Sequence, residues 1–180
     1  METVDPPDPE VLGEPHGSEL RHVREGVHAG LTTLQVAASA ISTAESRFAF
    51  AALDAALSYL QAELLPACRA EEATLFGAVD GLMGVANSCH AMKSQHTTII
   101  RMVGDLAQAI EAARAEADVA AYARYLEPLL YGLYALARAH LESEDEAYLG
   151  MLEALLSEAQ VAALAESYVA ALEDGPPPTA

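Results

Sequence analysis

His140 and Glu144 stand four residues apart in the stretch His140-Leu141-Glu142-Ser143-Glu144. On a helix that spacing stacks an imidazole and a carboxylate on one face. Leu129, Leu133, Leu136 and Met151 share the face, so the pair is predicted to point into the protein rather than into water. An unpartnered buried carboxylate is very costly, and a metal ion is one partner that would stabilise it. The plainer alternative is a buried hydrogen-bonded pair without metal.

An earlier segment repeats the pattern. Cys68-Arg69-Ala70-Glu71-Glu72-Ala73-Thr74-Leu75-Phe76 runs parallel to His140 through Tyr148, with Cys68 in the place of a histidine and Glu72 in the place of Glu144. His96 heads the stripe Ile99, Val103, Ile110. His22 and His28 are six apart, as are His90 and His96, so the two halves form a weak repeat in which His28 matches His96. His22 lies further round from the apolar stripe, and the first segment keeps both candidates. Imidazole with carboxylate suits iron, zinc or manganese. Two imidazoles, two carboxylates and a thiolate could hold two ions, or one ion tightly beside a weak or absent second. The bland alternatives are a solvated Glu71–Glu72 doublet, a core-edge His96, and Cys68 as a small buried hydrophobe.

Helices must position these groups. The chain is rich in Ala, Leu and Glu, all good helix formers, and has no strand-like alternation. Four long helices are predicted, over about 18–41, 46–78, 87–116 and 118–156, with a fifth, shorter one over about 157–172 that reads as an appendage. Pro66 should kink the second, and Gly77, Gly81 and Gly84 should end it. Short connections imply antiparallel neighbours, hence an all-α, up-down-up-down four-helix bundle with a short extra C-terminal helix. Connections centred near 82 and 118 put Cys68, His96 and His140 at one height. Cys89 falls away from that layer, which argues against a disulfide with Cys68.

The bulk numbers narrow the function. Nine Lys and Arg against 27 Asp and Glu give a formal charge of -18, which repels phosphate backbones and anionic lipid, so neither nucleic acid nor membrane is an expected partner. No run of 18 apolar residues appears, and the acidic, Pro-rich start lacks the features of a secretory signal. Two cysteines fit a reducing compartment, with the cytoplasm as the expected location. Residues 1–16, which include His16, and 174–180 read as disordered tails flanking a helical domain over 17–173.

The motifs taken in order resemble the hemerythrin-like, or HHE cation-binding, domain over roughly residues 18–156. That family carries His on the first helix, His-x-x-x-Glu on the second, His on the third and His-x-x-x-Glu on the fourth. The resemblance implies a non-haem di-iron centre that binds or senses dioxygen, nitric oxide or peroxide. By position it implies the ligands His28, Glu72, His96, His140 and Glu144, with Cys68 in a histidine slot and Glu72 and Glu144 bridging the ions. A thiolate there invites oxidation and argues against simple oxygen carriage. Two other functions compete: an iron-dependent oxidase, oxygenase or peroxide-decomposing enzyme on the same scaffold, and a metal-free interaction protein whose site has decayed.

Overall fold

The computed structural model describes residues 18–174. The expected N-terminal tail and His16 lie outside the described residues, as does the C-terminal tail except for Asp174. Among the described residues the structure is helical, without strands. The first rod is broken into α1 (Ser18–His22), α2 (Glu25–Gly30) and α3 (Thr32–Thr43). The second joins α4 (Ser46–Tyr59), a π turn at Leu60–Leu64, α5 (Leu65–Ala73) and α6 (Leu75–Met83). The third is α7 (His90–Ala115). The fourth joins a 3-10 turn at Ala120–Tyr122, α8 (Ala123–Glu144), a second π turn at Asp145–Leu149 and α9 (Gly150–Leu155). The chain closes with α10 (Glu158–Glu173), opened by a capping box between Ser157 and Gln160.

Two predicted breaks differ in form. Pro66 has no N–H to donate back to residue 62. The chain accommodates this with the π turn just before it, in which the Leu65 N–H donates to the Leu60 carbonyl. Gly77 and Gly81 stay inside α6, and Gly84, at φ 65, ends it in the left-handed conformation that glycine adopts without strain.

Helix α3 packs on α4 and α8, and α7 packs on α8 and α4, so the four long rods enclose a common interior. Helix α10 is no loose appendage: it packs against α5 and α1. By length and composition the stretch Ser46–Met83 could cross a membrane, since an 18-residue window within it reaches a mean hydropathy of 1.3. It is unconvincing as a span, because its inward stripe carries the buried acid Glu71.

The interior holds two apolar clusters. One is built on Leu34, Leu53, Leu60, Ile99, Leu106 and Leu133. The other is built on Leu20, Phe76, Met92, Leu149, Leu152 and Tyr168. The buried charged and polar side chains among the described residues are Arg24, Glu71, His96, His140 and Glu144. Contacts among them join all five in a single layer.

Candidate metal centre

Each rod contributes to this layer. The first delivers Arg24, from the break between α1 and α2. The second delivers Cys68 and Glu71 from α5, the third His96 from α7, and the fourth His140 and Glu144 from the last turns of α8. Glu144 directly precedes the second π turn, a local widening often found at functional sites.

The two imidazoles meet. His96 Nε2 lies 3.0 Å from His140 Nε2. Their outer nitrogens are held from outside: His96 Nδ1 lies 2.7 Å from Glu72 Oε1, and His140 Nδ1 lies 2.9 Å from Gln95 Oε1. Both oxygens accept, so both Nδ1 atoms donate, and each neutral ring is left with its Nε2 lone pair directed inward. Glu71 Oε2 sits 3.1 Å from His96 Nε2 and 3.6 Å from His140 Nε2. One ligand atom each from Cys68, Glu71, His96 and His140 falls within 4.8 Å of the others. A tetrahedral ion with bonds of about 2.0–2.3 Å separates its ligands by about 3.3–3.8 Å. The cluster therefore has the dimensions and the mixed S, N and O donors of a metal site.

Burial supports the fit. Both oxygens of Glu71 and Oε1 of Glu144 lack a hydrogen-bond donor although they are shielded from solvent. Arg24 Nη1 is 2.9 Å from Glu71 Oε1, close enough for charge attraction but without hydrogen-bond alignment. Arg24 Nη2 does donate to Glu144 Oε2, at 2.7 Å. Orphaned buried carboxylate oxygens are costly unless a cation answers them.

The titrations follow from these contacts. Burial alone would raise the Glu71 carboxyl, but the adjacent imidazoles of His140 and His96 and the charge of Arg24 hold it well below the usual carboxylate range. Glu144 is pushed up to about 8, first by burial and then by the negative charge of Glu71, against Arg24. Burial disfavours a charged His96, yet Glu71 and then Glu72 raise its affinity for a proton. Burial pushes the Cys68 thiol up, and the charges of Glu71, Glu144 and Glu72 push it further. The layer attracts positive charge, and a metal bound at Cys68 would displace the thiol proton.

The sequence candidates separate into three groups. Cys68, His96, His140 and Glu144 come together in the buried layer. Glu72 lies outside it, with its side chain 41 % exposed, as the partner of the His96 Nδ1. His28 does not reach the layer; its Nε2 lies 3.0 Å from Asp145 Oδ2, on the rim of a surface pocket of about 210 Å³ that has Arg24 among its walls. His22, the other first-rod candidate, is exposed beside Glu25.

Glu71, Arg24 and Tyr168 are the residues that sequence reasoning missed. The apolar run Leu60, Leu64, Cys68, Glu72 steps by four each time, and each such step advances about 40° beyond a full turn. Four-residue steps alone therefore drift off a face, whereas Leu64, Cys68, Glu71 and Leu75 alternate steps of four and three and stay on it, and all four are buried. Tyr168 of α10 is fully buried beside the layer, with the Arg24 guanidinium 6.0 Å from its ring centroid. Phe76 closes another side of the layer by stacking on His96 at 5.4 Å.

A family model for the hemerythrin HHE cation-binding domain matches residues 19–152. No curated protein and no solved structure gives a significant match to the chain.

Proposed function

The chain belongs to the hemerythrin HHE cation-binding domain family, and from that premise we propose that it holds non-haem iron in the buried layer and binds or senses dioxygen, nitric oxide or peroxide there. The observation that carries this reading is the convergence of two inward Nε2 lone pairs, the Glu71 carboxylate and Cys68 in a space shielded from water. In the same reading the four long rods form an up-down-up-down bundle, the C-terminal helix is an accessory to it, and the protein works in the cytoplasm.

Cys68, Glu71, His96 and His140 would hold the ion. Bound iron supplies a redox-active Lewis acid able to take a small exogenous ligand. The protein's own part is to fix and shield. Glu72 and Gln95 lock the ring tautomers and aim both Nε2 atoms inward. Phe76 covers His96 and keeps water from that side. The pocket bounded by Arg21, Arg24, Glu25, His28 and Asp145 gives solvent an approach to Arg24, at the edge of the layer. Cys68 favours sensing over reversible carriage, because a thiolate beside an oxidant is itself oxidisable.

Metal analysis of freshly purified protein, with absorption spectra before and after nitric oxide and peroxide, tests the reading. Iron at a stoichiometric level with spectra that respond to these ligands is the expected result. A colourless protein that takes up no iron would sink it and favour the metal-free interaction protein.

A further inference from the structure

Arg24 is 1 % exposed in an acidic chain, within the layer where a first-rod imidazole was expected. We propose that its guanidinium stands in for one of two cations, so that the layer takes a single metal ion, on Cys68, Glu71, His96 and His140. This inference rests on the metal-binding reading above and concerns the number of ions.

The two buried acids that Arg24 approaches define its role; Asp145, partly exposed, lies further off at 3.9 Å. Nη1 lies 2.9 Å from Glu71 Oε1, and Nη2 lies 2.7 Å from Glu144 Oε2. Glu71 therefore faces the guanidinium with one oxygen, while its other oxygen faces His96 Nε2 at 3.1 Å and His140 Nε2 at 3.6 Å. That is how a carboxylate bridging two cations would be placed, with a guanidinium on one side and a set of metal-type donors on the other.

The Arg24 side is poor in donors. No imidazole from the first rod reaches it, because His28 is engaged by Asp145 at 3.0 Å and the His22 side chain is 77 % exposed. Glu144 has committed Oε2 to Arg24, which leaves Oε1 and the unpartnered Tyr168 hydroxyl as buried oxygens without a donor or a cation. Arginine does not give up its proton in a protein. A second ion would meet a fixed positive charge at close range in a poorly screened interior. Nor can the guanidinium withdraw at low cost, since breaking a buried pair strands its acids.

The test is a metal count on the full chain. Anaerobic equilibrium dialysis against ferrous iron, and in parallel against cobalt(II), gives the ratio of metal to protein. One ion per chain is expected, and two per chain in the unmodified protein overturns the proposal while leaving the metal-binding reading intact. No uptake of either metal overturns that reading and this inference with it. Arg24→Ala releases both acids and should raise the ratio to two; a variant with native far-UV circular dichroism that stays at one counts against the stand-in role. Arg24→Lys, which keeps a fixed cation and serves if the alanine variant does not fold, should stay at one, and a rise to two is incompatible with the proposal.

Discussion

The rings of His96 and His140 meet edge to face, with centroids 4.6 Å apart and Nε2 atoms separated by 3.0 Å. They come from different rods, and neither rod alone fixes the meeting. The outer contacts fix it: Glu72 on one Nδ1 and Gln95 on the other. Gln95 precedes His96 on α7, so this one rod both supplies a ring and orients the ring of its neighbour.

Glu72→Ala and Gln95→Ala should each weaken metal binding about 10–100-fold, the usual cost of losing a partner that orients a ligating histidine. Competition against a chromogenic chelator measures this. The metal's absorption bands should keep their positions, because no ligand is lost. A shifted spectrum in Glu72→Ala would return Glu72 to the role of direct ligand, and an unchanged affinity in both variants would show that the rings need no outside support.

Tyr168→Phe should stabilise the protein. The hydroxyl of this fully buried tyrosine has no hydrogen-bond partner. An unsatisfied buried hydroxyl costs about 1–3 kcal/mol, so its removal should raise the unfolding free energy by about 1 kcal/mol in urea titrations. A loss of stability instead would mean that the hydroxyl serves a partner in the layer.

Much of this arrangement was legible. Runs of Leu and Ala at the helical period gave four long rods and a short one, and the height of the breakers put Cys68, His96 and His140 in one layer, where the structure places them. What stayed hidden depended on phase and on prejudice about charge. Leu20, Arg24, Val27, Leu31 and Leu34 step by four and three and are all buried, so Arg24 sits on the core stripe in its own right. Charge alone suggests a solvated side chain, and only the two acids from other rods reverse that expectation. The π turns at Leu60–Leu64 and Asp145–Leu149 were not readable either: Pro66 marks a break beside the first without fixing its form, and no proline adjoins the second. Tyr168 falls within the predicted fifth helix, but that α10 folds back onto α5 is a tertiary fact.

Gly30→Ala should destabilise the first rod against the second. A Cβ at Gly30 would lie 2.1 Å from both Cδ2 and Cε2 of Tyr59. That ring cannot swing aside easily, because it is buried and its hydroxyl donates to the Val27 carbonyl at 2.7 Å. Overpacking of this kind costs about 1–3 kcal/mol, or about 2–4 °C of melting temperature per kcal/mol in a chain of this size. Tyr59→Leu in the same chain should recover part of the loss. A single Gly30→Ala variant that melts like the wild type would show that α2 shifts freely, and with it the break that aims Arg24.

Asp80 ties the connection between α6 and α7, and its effect should depend on pH. Its carboxylate accepts the backbone N–H of Asn87 at 2.8 Å and of Ser88 at 2.7 Å, as well as the Ser88 hydroxyl. These bonds hold the turn in which Asn87 adopts φ 62, just before His90 opens α7. The Ser88 hydroxyl first, and then the Asn87 N–H, draw the carboxyl below its ordinary value of 3.8. A carboxyl whose native pKa is depressed contributes stability that is complete above its unfolded value and is lost as pH falls through its native value. Asp80→Asn should therefore be less stable than wild type at neutral pH, and the gap in urea midpoint should narrow as the pH is taken below 3.8. A gap that stays constant over that range would mean that the anionic charge contributes nothing. The turn would then be held by geometry alone, and the height at which α7 presents His96 would owe nothing to the charge on Asp80.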